Sequence, residues 1–222
     1  MGEPDHVSTA RAVYDAAAER YAQVVGTELR GALEGPVDRA FLAAFVELVG
    51  VAARPVADVG CGPGRVAAFL AGHGLDVVGV DVSQAMLTVA RDAHPDIRFE
   101  EGRLTALPFR DGSLGGAVCW YSIIHTPSGH LDEVFAELAR VLSGDGHLLL
   151  AFQAGDGECV HRADAYDTGI SLTSHRHSPD DVARSLIAAG LQVHARAVRE
   201  PALDHESTPQ AFLLARSGAR GG

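Results

Sequence analysis

Short apolar runs alternating with helical patterns predict an α/β fold built on one seven-stranded sheet. The sheet is expected to be mostly parallel, with helices on both faces, an N-terminal helical cap and a C-terminal antiparallel hairpin. Three observations carry this. Five strand-like runs between Val56 and Phe152 are separated mainly by helical segments, the pattern of a covered parallel sheet. The first strand stops abruptly in Gly60, Gly62 and Gly64, and a helix begins near Arg65. Finally, the runs Leu191–Val198 and Ala211–Ala215 have no helix between them, so they must pair antiparallel.

In chain order, Val13, Ala17, Tyr21 and Val24 form the apolar stripe of a helix from His6 to about Gly31. A second helix runs from Pro36, tolerated in a first turn, to Val49, and Gly50 closes it. Val56, Ala57 and Val59 form the glycine-turn strand, followed by a helix over 65–72. Asp76–Val82 is the second strand, and Ser83 caps a helix reaching about Ala93. Ile97–Glu101 is the third strand, Leu107–Ser113 a loop and Gly116–Ser122 the fourth strand. A helix over 130–142 then leads through Gly144-Asp145-Gly146 into the fifth strand, His147–Phe152. Residues 154–177 are polar without a clean period and read as a long loop, functional or mobile. Ser178-Pro179 starts a helix to Ala189, and the two final strands follow. The 222 residues suit one domain: a cap (1–50), a ligand-binding core (51–153), a substrate-side insertion (154–177) and a terminal helix and hairpin (178–217).

Composition removes several function classes. A formal charge of −11 with no local basic run disfavours a nucleic-acid partner. All 18 basic residues are Arg; without Lys there is no Schiff-base or pyridoxal phosphate anchor, and without Asn no N-glycosylation. The same bias fits a GC-rich, bacterial genome. Cys61, Cys119 and Cys159, odd in number and scattered, suit reduced thiols in a cytoplasm. The start lacks the pattern of a signal peptide or myristoylation site, and no apolar run approaches the roughly 18 residues of a membrane span.

Chemistry concentrates at the strand ends. Glycines permit positive φ and close approach of a ligand to the backbone, while the following helix directs free N–H groups into the same space. Asp81 ends the next strand seventeen residues beyond Gly64, where a carboxylate can accept from both hydroxyls of a ribose. A dinucleotide turn would want glycine where Arg65 stands.

Asp58-Val59-Gly60-Cys61-Gly62-Pro63-Gly64, Gly79-Val80-Asp81, Leu107-Pro108-Phe109 and Arg140-Val141-Leu142 before Gly144-Asp145-Gly146 together resemble the class I S-adenosylmethionine-dependent methyltransferases, of Rossmann-like fold. The resemblance covers roughly residues 7–217. It implies that the turn of Gly60, Cys61, Gly62 and Gly64 holds the methionine part of S-adenosylmethionine, with Asp58 near the ammonium. Asp81 would hold the ribose, Val82 and Met86 would flank the adenine, and S-adenosylhomocysteine would be the product. Two departures stand out. Gly102 is followed by Arg103 where the family has an Asp for the adenine amine; Arg cannot accept that bond but could stack, or Leu104 could contribute its backbone. Ser113-Leu114-Gly115 replaces the usual Ser-Phe-Asp.

Methyl transfer needs no protein nucleophile; in-line positioning can supply roughly 7–11 kcal/mol of the barrier. A general base is needed only for an acceptor that holds its proton, and His125 is the candidate, a capping or packing role beside Pro127 being its other reading. Trp120 and Tyr121 would wall the methyl group unless one is core. Tyr14 and Tyr21, two helical turns apart, either close the cofactor pocket or pack as an amphipathic stripe. His161, His175 and His177 match no closed zinc pattern and read as solvated or substrate-contacting, so no metal is expected. Cys119-Trp120-Tyr121-Ser122 lacks the signature of nucleic-acid amine methylases, and a catechol-type metal site wants an Asn. The expectation is methylation of O or N on a small metabolite or natural-product intermediate. The alternatives are an NAD(P)-dependent oxidoreductase and a non-catalytic binder of S-adenosyl ligands.

Overall fold

The computed structural model describes residues 4–50 and 54–218. The first three residues, on which the leader reading partly rests, the start of the expected core at 51–53 and the glycine-rich tail lie outside them. Helices α1 (Asp5–Val25) and α2 (Pro36–Val49) precede β1 (Val56–Val59), α3 (Arg65–Gly72), β2 (Val77–Asp81), α4 (Gln84–Ala93) and β3 (Arg98–Glu101). Next come β4 (Leu114–Trp120), α5 (Leu131–Val141) and β5 (Leu142–Gln153). A small hairpin, β6 (Cys159–Arg162) and β7 (Leu172–His175), precedes α6 (Pro179–Ala188), β8 (Leu191–Arg199) and β9 (Gln210–Ser217).

The main sheet has the order β3-β2-β1-β4-β5-β9-β8. Strands β1 to β5 pair in parallel, and β9 runs antiparallel to both β5 and β8. This is the fold class read from the sequence. The strand order turns back between β1 and β4, so the C-terminal ends of these two strands flank a crevice suited to a ligand. Alternation along β1 sends Ala57 and Val59 into the core under α5 and α6, and Val56 into the core under α2, α3 and α4.

Three local expectations differ. Helix α1 ends at Val25, because Gly26 takes φ +78° and its N–H closes on Ala22 O. Strand β5 starts at Leu142 rather than His147: Leu142 pairs with Leu114, and a register shift takes up the intervening turn. The polar stretch 154–177 contains the β6–β7 hairpin, with Cys159 opposite His175 and Arg162 opposite Leu172. Its four-residue strands, β6 mostly exposed and β7 half-buried, are too short and polar to leave a period in the sequence.

The fold buries two charged devices. Gly64 caps α3 without a side chain, and the buried Asp58 of β1 supplies the missing acceptor: its Oδ2 takes the Ala67 N–H at 2.9 Å. Burial lifts the Asp58 carboxyl to about 7, the Ala67 bond working against that rise. Farther along the sheet, Arg199 at the end of β8 bridges two carboxylates. It donates to Asp38 of α2 at 3.0 and 2.9 Å and to Glu206 at 2.7 and 2.6 Å. Only 13%, 2% and 4% of these three side chains is exposed, so the cluster is desolvated.

Both devices give stability predictions. Arg199→Ala leaves two buried carboxylates facing each other and should cost about 3–5 kcal/mol at pH 7 in urea denaturation. That deficit should shrink as acid protonates the pair. For Asp58 the folded state holds its proton more tightly than the unfolded chain, so the group's contribution to stability falls as pH rises from about 4 to about 7. Asp58→Asn lacks this term. Its stability relative to the parent should therefore rise by on the order of 3 kcal/mol between pH 4.5 and 8, and a parallel pair of pH curves would refute the assignment.

Candidate active site

The crevice is a cavity of about 410 Å³ at the C-terminal ends of the central strands, roofed by α1. One wall is the glycine turn. Gly60 and Cys61 both donate to Val80 O, at 2.7 and 3.0 Å, which fastens the turn of β1 onto β2. A Cβ at Gly60 would lie 2.2 Å from Ser122 Cβ, so this position admits only glycine. Gly62, at φ +51°, faces open space within the cavity lining.

Asp81 closes the end of β2 and lines the cavity. Its Oδ2 accepts from Gly62 N at 2.8 Å and its Oδ1 from Ser83 N at 2.9 Å. Burial raises the Asp81 pKa, and these backbone N–H groups pull it back down. Val82, Met86, Arg103 and Leu104 line the space beyond it, together with Gly60 and Gly62. The structure does not bring all the sequence candidates together. Asp58, Cys61 and Gly64 lie outside the lining: Asp58 braces α3, and the buried Cys61 turns its thiol back toward Gly62 O at 3.7 Å.

The roof is polar at its hinge points. Arg11 Nε donates to Val82 O at 3.1 Å, and Asp15 Oδ1 accepts from Ser83 Oγ at 2.6 Å. These bonds seat α1 on the β2–α4 junction. Tyr14 and Tyr21 then project into the cavity, where Tyr166 of the 154–177 stretch joins them, edge-on to Tyr21 and tilted against Tyr14, with ring centroids 5.3–5.9 Å apart. Burial pushes the Tyr21 phenol up to about 12. Arg65 also reaches the cavity, and the buried Glu34 pairs with it.

On the opposite wall, Trp120 ends β4 and Tyr121 follows it. Tyr121 has φ +58°, an uncommon backbone for an aromatic residue and of the order of 1–3 kcal/mol in cost, which turns its ring toward the cavity. His125 lines the cavity in the turn that follows. Its Nδ1 lies 3.0 Å from Thr173 O and its Nε2 2.8 Å from Tyr14 Oη. Burial lowers its pKa below the usual histidine value.

His161, His175 and His177 do not line the cavity. His177 is buried and sits 3.2 Å from Ile123 O, His175 lies beside Cys159, and His161 is exposed near Thr173. Among the described residues, no three His, Cys, Asp or Glu converge as metal ligands. Sequence reading missed Glu34, Tyr166, Gln153, Glu206 and Gln210, all of which line the cavity. Only Tyr166 left a signal, as the single aromatic residue of a polar stretch.

Residues 56–146 match the family model described as a methyltransferase domain. A demethylmenaquinone methyltransferase of Renibacterium salmoninarum is 37% identical over 109 residues, 48% of this chain and 44% of that protein. The match thus spans less than half the length of that curated relative. Among solved structures, magnesium protoporphyrin IX methyltransferase from Synechocystis PCC 6803 with bound SAH superposes with TM-score 0.74 at 18% identity, covering 96% of this chain and all of that one. The [4+2]-cyclase SpnF superposes with TM-score 0.73 at 18% identity, covering 95% and 96%. Residues 56–146 thus match a methyltransferase domain, and the sheet that contains them has the fold of solved S-adenosylmethionine-dependent methyltransferases that are 17–18% identical to this chain.

Proposed function

We propose that this protein transfers a methyl group from S-adenosylmethionine to a small-molecule acceptor, at O or N of a metabolite or natural-product intermediate. The observation that carries the reading is the joined pair at the cavity wall: the Gly60–Gly62 turn and the Asp81 carboxylate bonded to Gly62 N. The residues fit the cofactor. Gly62 offers backbone with open space where a Cβ would stand, and Asp81 keeps lone pairs for ribose hydroxyls. Val82 and Met86 would flank the adenine, with Arg103 stacking on it or Leu104 offering its backbone. Tyr21 would close the methionine end from above. The cofactor, when bound, supplies an electrophilic methyl carbon on a sulfonium. What the chain supplies is placement: Trp120 and Tyr121 wall the acceptor, and α1 with Tyr166 keeps bulk water out.

A partly enclosed cavity of about 410 Å³ in a chain of net charge −11 supports a small acceptor over a nucleic acid. The three free cysteines fit a bacterial cytoplasm, and no helix among the described residues is long and apolar enough to cross a membrane. One domain spanning the chain, with 154–177 as its substrate-side insertion, completes the reading. A [4+2]-cyclase shares the fold, so the fold alone does not dictate methyl transfer, and the second reading is that this chain binds an S-adenosyl ligand without transferring its methyl.

Isothermal calorimetry tests the first step. S-Adenosylhomocysteine should bind and NAD should not; absence of the former sinks the proposal. Asp81→Ala should weaken that binding by about 1.5–3 kcal/mol, roughly 10- to 150-fold, through loss of bonds to a charged group. Unchanged affinity would remove Asp81 from the ribose site. Binding without methylated product across a broad acceptor panel would instead favour the second reading.

A further inference from the structure

We infer that Tyr14 is the proton acceptor for a hydroxyl-bearing substrate, with His125 behind it as the proton sink; this rests on the methyltransferase reading above. Both ring nitrogens of His125 are occupied by protein atoms. Nδ1 lies 3.0 Å from Thr173 O, a carbonyl that can only accept, so Nδ1 carries the ring proton. Nε2 is left with a lone pair, and Tyr14 Oη donates to it at 2.8 Å. The histidine therefore has no atom free for a substrate. Tyr14 Oη does: its proton goes to Nε2 and the Tyr166 hydroxyl bonds to the same oxygen, which leaves it a lone pair for a substrate, and Tyr14 lines the cavity.

The groups facing this pair come from several elements: Tyr21 on α1, Tyr166, Arg162 and His175 in the insertion, and Asp81 across the cavity. Burial favours the uncharged form of both partners, so at neutral pH Tyr14 keeps its proton and His125 keeps its lone pair. The step balances. As the substrate oxygen bonds to the methyl carbon and the carbon–sulfur bond breaks, the substrate proton passes to Tyr14 Oη and the Tyr14 proton passes to His125 Nε2. The positive charge lost from sulfur reappears on the imidazole. An acceptor already ionised has no use for such a pair, which points to an alcohol or weakly acidic phenol. Tyr14 is thus the catalytic residue and His125 acts through it.

Two measurements on the full chain test this. Nitrogen-15 spectra of the imidazoles, with His125→Gln for assignment, should show His125 neutral and protonated on Nδ1 at pH 7; an Nε2-protonated or charged ring overturns the inference. This needs neither cofactor nor acceptor, and it stands even if Tyr14→Phe fails to fold. Radiolabelled methyl transfer is then measured over simple alcohols and phenols of graded acidity. Tyr14→Phe should lose about 100-fold or more in kcat on weakly acidic phenols and less than about tenfold on nitrophenols ionised at the assay pH, with S-adenosylhomocysteine affinity nearly unchanged. In the parent, kcat on weak acids should fall at low pH as His125 protonates, and His125→Gln should lack that limb. An equal loss across the series assigns Tyr14 a structural role and overturns the inference. So does a protein that binds S-adenosylhomocysteine but methylates no alcohol or phenol. Failure to bind S-adenosylhomocysteine overturns the methyltransferase reading itself.

Discussion

The Asp81 carboxylate, held between two backbone N–H groups, is the interaction on which the site depends. One oxygen takes Gly62 N and the other Ser83 N, so the glycine turn after β1 and the helix start after β2 share one anchor. Bonds to a charged acceptor are each worth about 1.5–3 kcal/mol, enough to fix a turn built from residues with no side chains of their own. Val80 O adds two further backbone bonds to the same turn. Because Arg11 and Asp15 reach Val82 O and Ser83 Oγ, the roof helix is keyed to this anchor as well. Floor, wall and roof of the cavity therefore meet within three residues of sequence.

The two faces of the sheet and the roof are held by different forces. Large apolar cores lie under α5–α6 and under α2–α3–α4. The roof has a far smaller apolar seam, Ala10 and Val13 of α1 against Ala165 and Leu172 of the insertion. It depends on polar links, among them the chain from Tyr14 through His125 to Thr173. Elements with few buried apolar contacts open at lower free energy than the core. A firmly packed floor under a less firmly packed roof would let a ligand enter the cavity without disturbing the strands that line it.

The sheet was legible because its information is local and periodic. Short continuous β-branched runs such as Val77–Val80 read as strands buried on both faces, and each glycine or cap that bounds them acts within a few residues. Asp81 was legible for the same reason: its position at a strand end follows from the register. Three-dimensional juxtaposition was not. Asp58 lies beside the glycine turn in sequence, yet strand alternation turns it behind the turn, toward Ala67 N. His125 could be placed at the correct sheet edge, but its tautomer depends on Thr173, 48 residues away in a hairpin whose short polar strands carry no period. Glu206 and Gln210 reach the cavity because β9 is inserted between β5 and β8, a fact of topology rather than of any local pattern.

The partition of aromatic residues shows what the cavity selects for. All eight phenylalanines pack in or against the two sheet cores, while all four tyrosines and the single tryptophan line the cavity. A cavity that needed only to exclude water could use phenylalanine, which fills space without a polar atom. Tyrosine adds a hydroxyl at the tip of an apolar body, so it can shape a ligand and hydrogen-bond it together, whereas the Trp120 Nε1 is buried and Trp120 offers the cavity its apolar surface. The charges on the same wall are largely neutralised within the protein: Arg65 by Glu34, and Glu206 by Arg199. What remains to address a ligand is the Asp81 carboxylate, the Arg103 guanidinium and a ring of hydroxyls. That set suits a nucleoside-bearing cofactor, and under the proposed reading of a neutral acceptor the proton of that acceptor would be the one charge the cavity still has to move.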